Sequence, residues 1–593
     1  MEFHKPINSV IEQPLSTPSR VREEETVTVA AVVVGNDKND EMNIDQQHHV
    51  DFISTLPFDL VGCILPQLPK QQLMECMTVS KIWRTQILEC EEAWREVDVS
   101  SSSGTLDDPK FFKVTQIQAK HIRRLELLDP GDQWIKLLGD LKNLHTLLIS
   151  PSLKRLQISI RCTFNEEILY TIWSTCTHLT HLAIFVSGWN RGSDIVDLPI
   201  LPNLIHLSLH FINNVSPETF RDLPTVLRAC PNLIYFDNNT ESYSIRMLDQ
   251  VRQHCPKIRN LVWEQYPLGA KAWKSTNRHA TNSAQQQGFS TVALWMNLNS
   301  IMHGDVIYQF LNNNKNTLEE LAIHGPTVSP RSNSSTQDEG FQHWDLFSGL
   351  ACQRLHTLSF KRLEINTNTM ISILRQCPSL GSVIFVSMRD LKDPVFDALL
   401  DLDQLDTLHI TNGCSGLTPD GLATFFFGIT EKAEDNVQQH LSNNIMTVLP
   451  STARAMTLKD VQFDGHLINT KSIAALSNVY SIEKLHFSAN RDFSIEKQLA
   501  ILPKKLVNLV EVKMFTIPAC SDVFLTNLSY CGKRLERIEL LALRQASDEG
   551  IKQLVDNCKS LKYLAARVCP MISEEIVMDY AHQHNICVRY AGA

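Results

Sequence analysis

Apolar residues between positions 55 and 94 recur at the three- and four-residue spacing of amphipathic helices. A first set precedes Pro69 and consists of Leu56, Leu60, Ile64, Leu65 and Leu68. A second set follows it and consists of Leu73, Cys76, Met77, Val79, Trp83 and Ile87. About forty residues cannot bury this much apolar surface by themselves. The pattern therefore predicts a small helical module that docks its surplus surface on a partner, on the rest of the chain, or on both.

A second pattern, Cys-x-x-Leu-x-x-Leu-x-apolar, recurs over roughly residues 115 to 590. Copies begin at Cys176, Cys230, Cys255, Cys352, Cys377 and Cys558, and further copies keep the leucines without the cysteine. First leucines such as Leu355, Leu380 and Leu405 lie 25 residues apart. The segments between copies carry apolar residues at helical spacing. The repeat therefore predicts an α/β fold, a curved solenoid with a parallel sheet on its concave face and helices on its convex face.

Polar, turn-rich stretches interrupt the repeats near residues 269–290, 325–342 and 428–450. We interpret the first two as insertions between repeats and the third as another insertion or an exposed helix. Residues 1–50 are polar and acidic apart from a short valine run, which favours a disordered segment. The expected organisation is thus a disordered segment over 1–50, a helical module over 51–98 and a repeat array over 99–593.

Composition narrows the functional classes. The net charge of -10 and the pI near 6.1 argue against general nucleic-acid binding, which needs a concentrated basic surface. No segment is apolar over the length that a membrane span requires. Fifteen cysteines without a secretory signal favour reduced thiols in a cytoplasmic or nuclear protein. We expect no cofactor, and we interpret the repeat cysteines as small buried hydrophobes rather than zinc ligands.

The helical module resembles the F-box, the motif by which substrate receptors join the Skp-type adaptor of cullin ubiquitin ligases. The resemblance rests on Leu56-Pro57, Leu60, Ile64-Leu65, Leu68-Pro69, Leu73, the run from Val79 to Arg84, and Trp94. Pro66 and Gln72 depart from the family pattern, and Pro66 is expected to distort the end of the first helix. The resemblance implies adaptor contacts by Leu56, Pro57, Leu60, Ile64, Leu65, Val79 and Trp83. The alternative is a plain helical cap on a larger fold, with Val79 and Trp83 packed inside it.

The repeats resemble the cysteine-containing leucine-rich repeat that is often found behind an F-box. Together the two resemblances imply a non-catalytic substrate receptor, in which the F-box binds the adaptor and the solenoid binds a protein target. A scaffold that acts outside ubiquitin transfer remains the alternative, and a small molecule in the concave centre, known in some plant relatives, stays open. An enzyme is the weakest class, because no nucleotide, zinc-protease or hydrolase motif occurs and Cys414 lies in a loop pattern.

Side chains alternate along a strand, so residues between the repeat leucines should face the concave surface. The candidate target-binding residues are His206, His210, Asp237, Glu264, His324, Lys361, His409, His486, Lys513, Glu539 and Arg567. The basic residues Lys484, Lys513, Arg537 and Arg567 suggest an acidic segment in the bound protein. A solvated surface without a partner is the equal alternative. The histidines belong to different repeats, so we interpret them as ordinary polar contacts rather than a metal site.

Overall fold

The computed structural model describes most of the chain between residues 56 and 591. The described ranges are 56–100, 109–128, 153–190, 198–211, 223–238, 245–263, 288–295, 304–325, 344–442, 457–580, 583–584 and 586–591. Residues 1–50, most of the three predicted insertions and Glu264 lie outside them. The described residues form two compact units, one ending at residue 231 and the other starting at residue 232.

The first unit begins with three helices, α1 (Phe58–Ile64), α2 (Lys70–Val79) and α3 (Lys81–Glu89). Helix α1 ends at Ile64, and Leu65–Gln67 continue as one 3-10 turn with Pro66 near its start. Proline has no amide hydrogen and crowds the preceding turn, so a regular helix cannot continue through it. The distortion that the sequence predicts at Pro66 is therefore present. A second 3-10 turn, Glu91–Trp94, closes the helical segment.

A parallel sheet follows in the first unit, with its strands in chain order. The strands are β1 (Glu96–Ser100), β2 (Arg124–Leu128), β3 (Arg155–Asn165), β4 (His181–Asn190) and β5 (His206–Phe211). The helices beside them are α4 (Pro109–Ile117), α5 (Glu166–Thr175) and α6 (Leu223–Arg228).

The second unit is a longer parallel sheet, in which each printed pairing joins strands that are consecutive in the chain. Its strands are β6 (Tyr235–Asn238), β7 (Asn260–Trp263), β8 (Thr291–Trp295), β9 (Glu320–His324), β10 (Thr357–Lys361), β11 (Ser382–Val386), β12 (Thr407–Thr411), β13 (Asp460–Asp464), β14 (Lys484–Ser488), β15 (Glu511–Phe515), β16 (Arg537–Leu541), β17 (Tyr563–Arg567) and β18 (Cys587–Ala591).

Helices connect these strands. They are α7 (Ile245–His254), α8 (Gly304–Asn314), α9 (Thr367–Gln376), α10 (Val395–Leu400), α11 (Pro419–Ser442), α12 (Thr470–Leu476), α13 (Glu496–Lys505), α14 (Asp522–Cys531) and α15 (Asp548–Asn557). Residues 428–442, the start of the third predicted insertion, belong to the long helix α11.

Strands β10, β11, β14 and β15 follow the predicted alternation of buried and accessible residues, whereas β9, β16 and β17 also bury their middle residue. In β10 the side chains of Leu358 and Phe360 are fully buried, whereas Thr357, Ser359 and Lys361 are half-buried. Thr357, Ser382 and Thr407 are paired in register, so one repeat adds 25 residues to the chain. Leucines at the second strand position and apolar side chains of the helices then share one core. The α/β fold with a long parallel sheet is confirmed.

The turns after seven strands of the second unit use a backbone conformation that the sequence does not signal. Non-glycine residues with φ between 53° and 56° directly follow seven strands: Arg362, Ser387, Asn412, Ala489, Thr516, Ala542 and Val568. The amide of Thr516 donates to the last carbonyl of the next strand, at Leu541, over 2.7 Å. Val568 does the same towards Ala591 over 2.8 Å. This repeated hydrogen bond offsets the cost of the left-handed conformation for L-residues.

Side-chain hydrogen bonds also join neighbouring repeats at the amino ends of the helices. Asp522 accepts hydrogen bonds from the amide and the hydroxyl of Ser547 over 2.7 and 2.6 Å. Asp393 accepts the same pair of hydrogen bonds from Thr418. These carboxylates lie where helix dipoles favour negative charge, so they stabilise the stacking of one repeat on the next.

Candidate protein-binding surfaces

The helical module, residues 56–94, buries an apolar interior in the folded chain. Val61, Leu65, Leu73 and Trp94 are at most 1% exposed. The indole Nε1 of Trp94 donates a hydrogen bond to the carbonyl of Ile87 over 2.9 Å, which satisfies the buried polar atom. Leu65, one of the predicted adaptor contacts, therefore belongs to this interior and does not face a partner.

The same module exposes four large apolar side chains. Leu60 and Ile64, one helical turn apart on α1, are 49% and 43% exposed. Val79 and Ile82, on either side of the α2–α3 junction, are 64% and 49% exposed. Leu56 and Trp83 are half-buried, and Pro57 is exposed. Leu60, Ile64 and Val79 are predicted contacts, whereas Ile82, which lies inside the same motif, is not among the predicted residues.

The α2–α3 junction owes its shape to Ser80. The Ser80 hydroxyl caps helix α3 by accepting a hydrogen bond from the Trp83 amide over 3.2 Å. Arg84 donates from Nε to the carbonyl of Met77 over 3.2 Å, across the corner. An N-cap of this kind fixes where a helix starts. Val79 and Ile82 are thus held close to a rigid corner rather than on a free chain end.

The side chains at the first, third and fifth positions of each strand point away from the buried leucines. We call this side of either sheet the open face. In the first unit, it includes His206 and His210 of β5, as predicted. The ring of His206 stacks on His181 with centroids 5.4 Å apart, and the ring of His210 stacks on Phe185 at 4.6 Å. Burial and Arg155 lower the pKa of His181.

In the second unit, Asp237, His324 and Lys361 lie on the open face as predicted, and all three are half-buried. Burial, Lys361 and Arg362 lower the pKa of His324 to about 3. Burial and Arg362 also lower the pKa of Lys361. At neutral pH the His324 ring is therefore uncharged, which suits it to packing and hydrogen bonding rather than to ion pairing.

Predicted residues meet across β12, β13 and β14. His409 Nε2 lies 2.9 Å from an oxygen of Asp460, whose other oxygen lies 3.3 Å from the ammonium of Lys484. Burial opposes ionisation of Asp460, but these two partners nevertheless lower its pKa. His486 contacts the Phe515 ring edge-on at 4.6 Å. Burial and the nearby Lys513 lower the pKa of His486 to about 4.

A network of five charged side chains covers the open face of β15, β16 and β17. We call it the charge network; its members are Glu511, Lys513, Arg537, Glu539 and Arg567. Lys513 lies 2.7 Å from Glu511 and 3.6 Å from Glu539. Arg537 donates to Glu539 from Nε and Nη2 over 2.9 and 2.8 Å. Its guanidinium also lies 4.0 Å from the ring centre of Tyr563.

Glu539 is the centre of the charge network. Its side chain is 11% exposed and lies within 3.6 Å of Lys513, Arg537 and Arg567. Burial raises the energy of its charged form, yet the hydrogen bonds from Arg537 and the neighbouring positive charges lower the pKa of Glu539. Lys484, Lys513 and Arg537 are therefore paired with carboxylates of this chain. The free basic surface that the sequence suggested in this third is smaller than the count of basic residues implies.

The cysteines at the amino ends of the strands are buried, as the repeat pattern predicts. Cys176, Cys255 and Cys558 are at most 3% exposed, and burial raises the pKa of each thiol to about 12. Burial likewise raises the pKa of Cys414 to about 11, and its sulfur accepts a hydrogen bond from the Met388 amide. At neutral pH these groups are thiols, which are poor nucleophiles. Within the described ranges, no cluster of three or more His, Cys, Asp or Glu is arranged to hold a metal ion.

An open depression of about 710 Å³ lies at the amino ends of β10 to β13. His356, Asp403, Asp406 and Lys459 are among the residues that line it. It lies at the amino-terminal edge of the sheet and includes Thr357 and Ser382, the first open-face residues of β10 and β11, but none of the predicted target-binding residues is among its lining residues.

A strand and a helix recur about every 25 residues, with the strand leucines buried on one side of a parallel sheet. Each unit is built as a leucine-rich-repeat array. No protein-family model and no curated protein matches the chain. A solved structure, the complex of Rad7 and Elc1 in yeast, aligns with a TM-score of 0.37 and 12% identity, covering 82% of this chain and 95% of that chain. No helix among the described residues has the length and hydropathy to cross a bilayer.

Proposed function

We propose that this chain is a non-catalytic substrate receptor of a Skp/cullin/F-box ubiquitin ligase. The helical module binds the Skp-type adaptor, and the open face of the repeats binds a target protein. The chain then contributes proximity and orientation, because the ubiquitin is carried by a conjugating enzyme. The proposal places the protein in the cytoplasm or the nucleus.

One observation carries the proposal. The module buries an apolar interior, yet Leu60, Ile64, Val79 and Ile82 remain 43% to 64% exposed. Burying a large aliphatic side chain contributes about 1.5–3 kcal/mol. Four such side chains within 23 residues provide the apolar centre that a stable protein interface needs.

The alternative, a purely structural cap, predicts a different burial of the same residues. A cap protects the end of a sheet by burying its surplus apolar side chains against the first repeats. Trp94 and Ile87 are buried and suit that role, but Leu60, Ile64 and Val79 are not. Their exposure favours a partner outside the chain over a purely structural role.

Co-purification of the Skp-type adaptor with the full-length chain tests the proposal. Leu60→Asp places a charge in the apolar contact, so we expect the adaptor to be lost or its affinity to fall at least about a hundredfold. Ile117→Asp is the matched control, because Ile117 is 66% exposed in the same unit but outside the module. It should leave adaptor binding unchanged.

Adaptor binding that survives Leu60→Asp, in a variant with an unchanged melting temperature, would contradict the proposal. The scaffold alternative needs a second measurement. Deleting residues 56–94 should slow the turnover of a bound target if the chain serves a ligase, whereas unchanged turnover would favour a scaffold.

A further inference from the structure

The open face of the last four strands carries more positive than negative charge. On β15 to β18 its cations are Lys513, Arg537, Arg567 and Arg589, and its anions are Glu511 and Glu539. Four positive and two negative groups leave a net charge of +2 on this area. The uncompensated positive charge lies at Arg567 and Arg589, and this position indicates what could bind.

Lys513 and Arg537 are satisfied within the charge network. Arg567 is not: its closest carboxylate oxygen, on Glu539, is 3.6 Å away, which is too long for a good hydrogen bond. The Nε atom of Arg567 is buried and has no acceptor within hydrogen-bonding distance among the described residues. A buried N–H without an acceptor is costly, and the side chain of Arg567 as a whole is 23% exposed, so its guanidinium stays partly accessible to an additional acceptor.

Arg589 supplies a second cation beside it. Strand β18 pairs with β17 so that Ala565 lies opposite Arg589, and Arg567 lies opposite Ala591. Adjacent strands are about 4.8 Å apart, so the two arginines are diagonal neighbours within reach of one bound group. Arg589 is exposed and makes no ion pair with the described part of the chain. The two alanines put no competing polar side chain between the arginines.

Apolar side chains adjoin the arginines on the other side. Phe515, Leu541 and Arg567 occupy the same position on three consecutive strands and are paired in register. Phe515 and Leu541 are both half-buried. The His486 ring packs against Phe515 and is uncharged at neutral pH, since its pKa is lowered to about 4. A short row of apolar groups therefore leads directly to the unsatisfied guanidinium.

We propose that Arg567 and Arg589 bind an anionic oxygen group of a target protein, while Phe515 and Leu541 accept an apolar side chain next to that group. The site rests on the proposed function, because it would be part of the surface that selects the target. A guanidinium binds carboxylate or phosphoryl oxygens through paired, charge-assisted hydrogen bonds. The sequence suggested an acidic segment in the bound protein. The structure supports a narrower feature, one anionic group next to one apolar residue.

Four bead-bound peptide libraries test the site with the purified full-length chain. All have eight positions, randomised among Ala, Gly, Ser, Leu and Phe. One library adds a fixed glutamate and has an amidated end, one adds a fixed phosphoserine and has an amidated end, one has a free terminal carboxylate only, and one is neutral and amidated. The first three distinguish the possible sources of the anionic group.

We expect the beads of at least one anionic library to retain about tenfold more of the chain than the neutral beads, as one charge-assisted contact allows. Retained sequences should carry Leu or Phe next to the anion. Arg567→Gln and Arg589→Gln should each reduce the preference to near one. Arg375→Gln is the matched control, since Arg375 lies on helix α9 and is 59% exposed. It should leave the preference intact.

No preference for any anionic library, or a preference that persists in Arg567→Gln, would overturn the site. Melting curves of each variant show whether the fold is intact, and Arg589→Gln changes an exposed residue that the fold does not use. Adaptor co-purification is measured on the same variants. If the chain shows no anion preference but still binds the adaptor, the site is wrong and the receptor role stands. If the unaltered chain does not bind the adaptor, the receptor role itself is contradicted.

Discussion

The helical module and the charge network both expose chemistry that can bind a protein, but they do so in opposite ways. In the module Leu60, Ile64, Val79 and Ile82 are 43% to 64% exposed, so these apolar groups are not part of the interior that the described residues form. In the charge network nearly every charge is already compensated, at short distance by a residue two positions away in the same strand and at 3.6 Å by a residue of the adjacent strand. The first surface is available as it stands, and the second is mostly satisfied, with Arg567 as the exception.

The contrast follows from where the partners lie in the chain. A helix places its apolar residues three and four positions apart, so an excess over what the interior needs is visible locally. A parallel sheet pairs residues that are one repeat apart, such as Lys513 with Glu539. Whether a basic residue on the open face is free therefore depends on the residue about 25 positions away.

The largest effect should come from the interior of the module. Trp94→Ala removes a fully buried ring and leaves its space empty, so we expect the module to lose about 3–5 kcal/mol of unfolding free energy. Leu60→Ala should cost less than about 0.5 kcal/mol, because that side chain is half exposed. Denaturant unfolding followed by hydrogen exchange of residues 56–94 measures both. Equal losses of unfolding free energy in the two variants would contradict the assignment of Trp94 to the interior and of Leu60 to the surface.

The centre of the charge network should show the next largest effect. Glu539→Gln leaves three cations without their shared carboxylate, and we expect a loss of about 1–2 kcal/mol at pH 7, since those cations are partly solvated. The pKa of Glu539 is lowered in the folded state. Its contribution is thus present above the unfolded glutamate pKa, about 4.3, and is lost as the pH falls through the folded pKa.

Denaturant titrations at pH 7 and pH 3 measure this difference. The unaltered chain and Glu539→Gln should differ at pH 7, and the difference should be smaller at pH 3, below the unfolded glutamate pKa. Glu536→Gln is the matched control, because Glu536 is 47% exposed and pairs only with exposed Lys562 in the described structure. A loss in the control as large as in Glu539→Gln would remove the distinction between a central and a peripheral carboxylate.

A smaller pH effect is expected from His486. Its folded pKa of about 4 lies below the unfolded value of about 6.5, so the unfolded state binds the proton more readily between these values. The free energy of unfolding should therefore decrease as the pH is lowered through this window. The expected decrease is about 1 kcal/mol from pH 7 to pH 5, after allowing for partial solvation. His486→Gln should remove that part of the slope. A ring proton resonance of His486 that titrates near pH 6.5 would contradict the expectation.

The smallest effect is a gain. Thr516 has φ 56°, which glycine adopts without the clash that a β-branched residue suffers. Thr516→Gly should raise the unfolding free energy by about 0.5–1 kcal/mol, measured by thermal denaturation. Thr424→Gly, at an exposed position in helix α11, should lower it by a few tenths of a kcal/mol. The same sign at both sites would show that the left-handed turn carries no strain.

Sequence alone was sufficient for the repeat, its 25-residue period and the burial of residues such as Leu358 and Cys377. These depend on local periodicity. It was not sufficient for the contacts of Lys513 and Arg567 with Glu539 or for the position of Arg589 beside Arg567, because register across strands decides them. It also gave no sign of the left-handed conformation at Val568. A backbone hydrogen bond holds that conformation, and it does not depend on which side chain is present.

The central claim is that the helical module presents an apolar surface to a partner outside the chain. Hydrogen exchange of the full-length protein, with and without the Skp-type adaptor, tests it most directly. We predict that the adaptor slows exchange in residues 57–64 and 78–84 and leaves the strands β15 to β17 unchanged. Exchange that slows only in the repeats, or nowhere, would contradict the claim.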